Sequence, residues 1–365
     1  MPYTFDAKQT VPENLIRTVS EQIDRAIAEL CDKSLDPPTA VHQARKRIKK
    51  IRGVLRLARE EMGELYVYEN LLFRDAGRRL ADIRDAQAAL ETFDKLSQKY
   101  PAHFRREACH TVRKGLEEGL RKVAGNKAYV EQVINDVVDM LRHARKRLKS
   151  WPLSVDHYSA LSKGHRKTYR KGRRLFARVY NEPTPENLHE LRKAVKYHWY
   201  HGRLLRGTQT KRMARYNASV KRMADLLGEH HDMAALRSML LKHPERYGTY
   251  HEIRGLFKLL DRTQEELWRQ AEPLGRLIFL EKPKYIERRM LEDWEGWKAA
   301  QAQKASVDVD AELSAAGMTG ESLIGVGEDV MDDAVPDVSE KGELAASDKS
   351  RSSQPSGGAV AVTTE

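Results

Sequence analysis

The chain has 365 residues, 40% of them hydrophobic and 32% charged, which is enough apolar material for one or two cores. Residues 305–365 contain 13 acidic and 3 basic residues and carry a net charge of −10. Since the whole chain has a net charge of +12, residues 1–304 carry +22. There is no run of about 18 apolar residues, no signal peptide, and only two cysteines, which excludes membrane-spanning and disulfide-rich secreted proteins. We expect a soluble cytoplasmic protein with no membrane span, whose basic body attracts polyanions.

Helical periodicity alternates with Pro or Gly breaks over most of the chain, and strand-like alternation is nearly absent. Thr184 followed by Pro185 is a typical helix start. Short connections between the helices favour antiparallel bundles. The predicted helices, in chain order, are residues 12–32, 40–60, 65–98, 102–123, 127–149, 155–180, 186–206, 210–241, 246–271 and 275–300.

A line of cations runs along the second predicted helix. Residues spaced three or four apart share one helix face, and the line consists of His42, Arg45, Lys49, Arg52, Arg56 and Arg59. Apolar residues repeat this spacing one position out of phase, so the line lies beside the buried seam. Like charges on one face repel by a few tenths of a kcal/mol per pair, on the order of 0.2 to 0.5. Since a fold does not need such a line, it indicates a ligand with several negative charges.

The same spacing recurs 147 residues later. Every residue of this second line is basic or His except Trp199. The second copy consists of His189, Arg192, Lys196, Trp199, Arg203 and Arg206. Further pairs keep the same offset: Pro38 and Pro185, Asn70 and Asn217, and Asp85 and Asp232. We therefore predict two homologous helical halves, about 11–150 and 155–300, within one domain over 11–300.

Other helices carry additional basic residues. They are Arg74 and Arg78; Lys221 and Arg222; Arg142, Arg145 and Lys149; and Lys163, Arg166, Arg170 and Arg173. Any one of these sets is typical of a solvated helix surface. The two repeated lines are nearly free of glutamate, however, whereas a merely soluble face would intersperse it. Beyond residue 300 the helical pattern ends, so we predict a disordered acidic tail over 301–365.

Two alternative chemistries deserve comparison with simple anion binding. His230, His231 and Asp232 resemble the His-Asp pair of metal-dependent phosphohydrolases, but the matching residues of the first half are Ile83-Arg84-Asp85, so only the aspartate repeats. We expect Asp85 and Asp232 to orient neighbouring Arg or Lys side chains, and we predict no metal site, cofactor or catalytic residue. RNA or DNA binding remains the second alternative, although aromatic residues total only 7%.

The chain resembles the CHAD family, the conserved histidine α-helical domain, over most of residues 11–300. The resemblance is carried by V-H-Q-A-R-K-R-I-K-K-I-R at 41–52, L-H-E-L-R-K-A-V-K-Y at 188–197, R-R-L-A-D-I-R-D at 78–85 and L-L-G-E-H-H-D at 226–232. It implies an all-α fold of two antiparallel four-helix-bundle-like halves around a basic cleft or channel that binds inorganic polyphosphate. Carried over by position, the binding residues are His42, Arg45, Lys46, Lys49 and Arg52, then His189, Arg192, Lys193 and Lys196.

The function that we predict is non-catalytic binding of inorganic polyphosphate through the duplicated face. The resemblance also implies association with polyphosphate granules, as for similar bacterial proteins. Related chains occur fused to triphosphate tunnel metalloenzyme domains, but this chain lacks their Glu-x-Glu-x-Lys signature and looks like a stand-alone binder. Trp199 stands where the family pattern usually has Arg, so we expect a weaker or reshaped second half-site.

Overall fold

The computed structural model describes residues 3–315, and over that range the chain forms α-helices joined by short turns, with no strand. The predicted all-α class is therefore confirmed. The α-helices are α1 Val11–Cys31, α2 Pro37–Leu57, α3 Arg59–Met62, α4 Leu65–Arg79, α5 Ala81–Lys99, α6 Glu107–Gly125, α7 Lys127–Arg147, α8 Ser159–Asn181, α9 Pro185–Leu204, α10 Lys211–Lys242, α11 Pro244–Tyr247, α12 Tyr250–Ile278 and α13 Pro283–Ala315.

Side-chain caps fix where the two basic helices begin. The Asp36 carboxylate accepts a hydrogen bond from the Thr39 amide at 3.1 Å, and α2 then starts with proline. The Thr184 hydroxyl accepts one from the Asn187 amide at 3.2 Å, followed by Pro185. Each cap satisfies an amide that has no partner in the first turn. The caps differ by one residue in register, since His42 lies six residues after Asp36 and His189 five residues after Thr184, so the two cationic lines begin within one residue of the same depth.

The helix predicted over residues 65–98 is divided at Leu80 into α4 and α5, which corrects the prediction. The Arg45 Nη1 donates to the Gly77 carbonyl at 2.5 Å, and a continuous helix would offer that carbonyl to the amide of residue 81. A side chain that enters the helical hydrogen-bond ladder bends or breaks a helix. The matching segment of the second half, α10, stays continuous.

Two predicted boundaries near the C-terminus are also wrong. Pro273 lies inside α12, because the residues on either side of it, such as Ala271 and Gly275, are buried and their packing outweighs one missing hydrogen bond. The last helix, α13, passes the predicted boundary at 300 and extends to Ala315, since good helix formers such as Ala and Gln recur in this stretch. The rest of the predicted disordered tail, residues 316–365, lies outside the described residues.

Each half contains antiparallel helices packed around an apolar core, and those of the first half form a four-helix arrangement. In the first half α1 packs on α2, α2 on α4, α4 on α7, and α7 on α1. In the second half α8 packs on α9 and α9 on α10, and α13 adds buried Ile286, Met290 and Trp294. Helices α2, α8 and α9 also pack on one another, so both halves share one continuous core.

A second core lies where the far ends of the long helices meet. It joins α5 and α6 of the first half to α10 and α12 of the second, and it includes Phe93, Leu116, Leu236 and Phe257. The halves are thus held together at two levels, through α2 with α8 and α9, and through these distal ends. This double attachment fixes the spacing of the helices between which the basic residues lie.

Gly164 sets how closely α8 approaches α2. A Cβ atom at this position would lie 2.0 Å from the Leu57 carbonyl oxygen and 2.6 Å from that of Arg56. Only glycine permits such an approach of two backbones. The contact places the exposed basic face of α8 directly beside the cationic line of α2.

Three histidines are enclosed in the core of the second half. The His201 Nε2 lies 3.0 Å from the Gly53 carbonyl, His198 Nε2 lies 2.8 Å from the Tyr216 hydroxyl, and His165 is fully buried. Burial lowers the pKa of His165 to about 4 and holds those of His198 and His201 well below the ordinary value. All three are therefore neutral in the folded protein near pH 7.

Acid should destabilise the protein through these histidines. In the unfolded chain these histidines titrate near pH 6.5, so below that pH the unfolded state binds more protons than the folded state does. The free energy of unfolding is therefore unaffected by them above pH 6.5 and decreases as the pH falls towards 4. Each histidine should contribute a slope of about 1.4 kcal/mol per pH unit in this window. Urea denaturation between pH 7 and pH 5 measures the slope; His165→Gln should reduce it, and the exposed control His143→Gln should not. A pH-independent free energy of unfolding would contradict this account.

Candidate anion-binding cleft

A cleft of about 700 Å³ opens between α2, α4, α8 and α9. Twelve of its lining residues are cationic, and no Asp or Glu lines it. The cations are Arg45, Lys49, Arg52, Arg56, Arg59, Arg74, Arg78, Lys167, Arg170, Lys171, Arg174 and Lys193. His189 and Tyr197 line it as well. A concave surface with charge of one sign focuses its potential and concentrates oppositely charged ligands.

Neutral partners hold the arginines of α2 in place. Arg52 Nε and Arg56 Nη1 both donate to the Asn70 side-chain oxygen, at 3.2 Å and 2.9 Å. The Arg56 guanidinium also lies over the Tyr197 ring, 3.9 Å from its centroid. An amide or an aromatic face orients a guanidinium without cancelling its charge. These side chains are therefore positioned in advance and keep their full positive charge for a ligand.

The wall contributed by α8 contains no acidic residue. Its eight cations are Lys163, Arg166, Lys167, Arg170, Lys171, Arg173, Arg174 and Arg178. The equivalent helix of the first half, α1, carries Glu13, Glu21, Asp24 and Glu29. The sequence reasoning did not single out Lys167, Lys171 and Arg174, although all three line the cleft. The absence of Asp and Glu over residues 159–181 is the sequence feature that indicates these three residues.

Lys49 stands at the centre, where α2 and α9 approach each other. Its side chain is exposed to the solvent of the cleft, yet it is surrounded by protein atoms and by Arg192, Arg45 and Lys196. Desolvation and then the repulsion of these cations lower its pKa to about 7, and Asp232 offsets only part of the effect. An anion in the cleft would reverse this repulsion and favour the charged ammonium.

Binding of a polyanion should consequently depend on pH through Lys49. The free protein loses the Lys49 proton above a pKa of about 7, so affinity should fall by about tenfold between pH 6 and pH 8 as this charge disappears. Lys49→Arg, whose guanidinium stays charged, should flatten this part of the profile. Comparing the two proteins cancels the titration of the ligand itself. Parallel pH profiles in calorimetric titrations would show that Lys49 does not face the ligand.

The two histidines that head the cationic lines differ in position. His189 lines the cleft, and its ring centroid lies 4.7 Å from that of His231. His42 lies outside the lining, close to Arg84 and Glu91, where burial and Arg84 lower its pKa to about 4. The pKa of His189 is lowered too, by burial and by Lys193. Burial and the neighbouring cations therefore disfavour the cationic form of both imidazoles in the free protein.

Residues 16–241 match the family model of the CHAD domain. The chain belongs to the CHAD family. Its fold is similar to the crystal structure of the CHAD domain from the plant Ricinus communis, with a TM-score of 0.50 and 16% sequence identity, over 79% of this chain and 93% of that one. No curated protein matches the sequence. The predicted family and fold are thus confirmed.

The second cationic line of this CHAD domain has a compensating acidic residue, Asp225, that has no counterpart in the first. The Asp225 carboxylate lies 2.7 Å from the Lys221 Nζ and 3.8 Å from the Lys196 Nζ. In the repeat, Asp225 occupies the position that corresponds to Arg78, which lines the cleft. Lys196 also lies over the Trp199 ring, 4.2 Å from its centroid, and Trp199 replaces the arginine found at position 52. The repeat is therefore asymmetric: the first cationic line borders the cleft along most of its length, whereas of the second line only His189 lines it.

Several predicted binding residues lie outside the lining of the CHAD cleft. Three of them form ion pairs elsewhere: Arg142 with Asp139, Arg145 with Asp24, and Arg166 with Glu287. Arg222 donates a hydrogen bond to Gln270, and Arg203 lies near the Tyr3 and Trp199 rings. Lys46 and Lys149 are exposed. Arg192 lies beneath the cleft, where burial lowers its pKa and the facing Asp232 offsets part of this shift. Arg173 lines a neighbouring cavity. The predicted residues that do line the cleft are Arg45, Lys49, Arg52, Arg56, Arg74, Arg78, Arg170, His189 and Lys193.

Over the described part of the CHAD domain, no group of three or more His, Cys, Asp or Glu side chains has the arrangement of a metal site. His231 and Asp232 face His189 and Arg192 instead. Within residues 3–315, none of the helices combines the length and the apolar character that a membrane span requires.

Proposed function

We propose that the protein binds inorganic polyphosphate in the cleft and does so without catalysis. The observation that carries this proposal is the set of twelve cations with no acidic residue among the lining side chains. Polyphosphate has about one negative charge per phosphate on a flexible chain, and most of its affinity would come from release of counterions, by analogy with nucleic-acid phosphates. Such a ligand needs closely spaced positive charges and no other recognition.

The aromatic content of the cleft favours polyphosphate over nucleic acid. Binders of single-stranded RNA and DNA stack bases on exposed aromatic faces. The aromatic rings of the lining are those of Phe73, which is fully buried, and Tyr197, whose face is covered by Arg56. Phe73 offers no stacking surface, and a base at Tyr197 would compete with Arg56 for the ring face that the guanidinium occupies. Nucleic acid should consequently bind through its phosphates alone and compete weakly.

The acid-free lining also supports binding over hydrolysis. A metal-dependent phosphohydrolase holds its metal ions with carboxylates or imidazoles next to the bound phosphate. The cleft offers only His189 as such a ligand. Incubation of the protein with polyphosphate and Mg²⁺ or Mn²⁺ should leave the chain length unchanged. Inside the cell we propose a cytoplasmic protein that associates with polyphosphate granules.

Isothermal titration of the full chain with long-chain polyphosphate tests the function, at about 0.15 M salt, where weak surface interactions are screened. We expect saturable binding that is not displaced by tRNA at equal charge concentration. Absence of binding would refute the proposal. Displacement by tRNA would shift the assignment to a nucleic-acid binder that uses the same surface.

A further inference from the structure

A second cavity of about 520 Å³ adjoins the cleft on a neighbouring face of α8. Arg170 and Arg174 line both spaces, and Arg173 and Arg276 line the second one only. No Asp or Glu lines this cavity. Because Arg170 and Arg174 lie one helical turn apart on the same face and line both spaces, they form a continuous cationic edge between them.

Two arginines of this cavity, Arg173 and Arg276, have partners that orient them. Arg173 Nε donates to the Phe279 carbonyl at 3.0 Å, which leaves its positive charge uncompensated. Arg276 lies over the Tyr180 ring, 4.8 Å from its centroid, and is also bonded to Glu272, so its charge is partly offset. The site is therefore formed before any ligand arrives.

The floor of the cavity is rigid and apolar. Here α8 and the end of α12 approach closely, and a Cβ atom on Gly275 would lie 2.1 Å from the Phe176 ring. Phe176 and Phe279 are both buried, with their rings 5.7 Å apart. Since apolar protein beneath a charge lowers the local dielectric constant, an anion beside these arginines is attracted more strongly than on an open surface.

We infer that this cavity is an extension subsite for the same polyanion. A phosphate chain that fills the cleft continues over Arg170 and Arg174 and ends beside Arg173 and Arg276. The inference rests on the proposed function and adds a dependence on chain length: short chains occupy the cleft alone, and long chains occupy both spaces. Long chains therefore gain affinity from contacts that short chains cannot reach.

The test compares tripolyphosphate and long-chain polyphosphate as probes. Ala177 lines the second cavity and is exposed, so Ala177→Glu places a negative charge there without removing a contact. Arg276→Gln is a second variant that removes a charge from the cavity. The matched control is Ala128→Glu on α7, an exposed position with the same change of charge outside both cavities.

Ala177→Glu should weaken binding of long-chain polyphosphate by about tenfold and leave tripolyphosphate binding unchanged. Arg276→Gln should show the same selective loss, and Ala128→Glu should change neither affinity. Unchanged tripolyphosphate binding also demonstrates that the variants are folded. If the variants lost affinity for both probes equally, or for neither, the extension subsite would be refuted. The proposed function would still stand in that case, provided that the wild type binds long-chain polyphosphate. Failure of the wild type to bind either probe would refute the proposed function itself.

Discussion

Reversing three charges on opposite walls of the cleft should lower the affinity for long-chain polyphosphate by about 100-fold or more. The variant is Arg78→Glu with Lys167→Glu and Arg170→Glu, on α4 and α8. All three side chains are exposed, so the fold should tolerate the change. Each substitution removes an attraction and adds a repulsion, and the slope of log affinity against log salt concentration should fall by about one for each cation lost. Calorimetric titration over a range of salt concentrations measures both quantities.

The control for this variant has the same net charge but leaves the cleft intact. Arg121→Glu, Lys122→Glu and Lys146→Glu alter exposed positions away from the lining, and affinity should change at most a few-fold. A loss as large as that of the cleft variant would mean that total charge, and not the cleft, determines binding. Arg203→Glu with Lys221→Glu then tests the asymmetry between the halves, and we expect a smaller effect because Asp225 already compensates Lys221.

Gly164→Ala should lower the free energy of unfolding by about 2 to 3 kcal/mol, the cost of overpacking a tight contact. The added methyl group would lie 2.0 Å from the Leu57 carbonyl oxygen, and this neighbour is backbone that cannot rotate away. Helix α8 must therefore move away from α2, which would also widen the cleft and weaken polyphosphate binding. Urea denaturation followed by circular dichroism measures the stability change.

Gly228→Ala provides the matched comparison. Gly228 also lies inside a helix, but no atom lies within 4 Å of a Cβ added there. Alanine should stabilise this position by about 0.5 to 1 kcal/mol through its better helix propensity. Equal effects of the two substitutions would contradict the close contact of α8 with α2.

The repeat in the sequence predicted much of the fold. Local rules were sufficient for two features. Capping predicts that a helix begins at Thr184 and Pro185, and periodicity predicts that the lines headed by His42 and His189 have the same phase. The break at Leu80 depends instead on a hydrogen bond from Arg45, far away in sequence. Local patterns contain no information about such a contact.

The limits of sequence reasoning were greater for the site. Spacing on one helix finds a cationic face but cannot tell which opposing helix completes a cleft. Arg145 and Arg74 look alike in sequence, and each has an acidic partner, Asp24 or Asp75, yet only Arg74 lines the cleft. Composition over a whole element proved more informative than spacing, because α8, the helix without Asp or Glu, forms a cleft wall.

The asymmetry between the halves also bears on how many polymers one chain would hold if it binds polyphosphate as proposed. A symmetric duplicated protein would present two equivalent sites and bridge separate polyphosphate molecules into a network, since linked sites multiply the strength of attachment. In this protein, Asp225 pairs with Lys221 and Trp199 replaces an arginine in the second line, and the proposed extension subsite would hold more of the same polymer. We therefore predict a valence of one, so that the protein would decorate polyphosphate without cross-linking it.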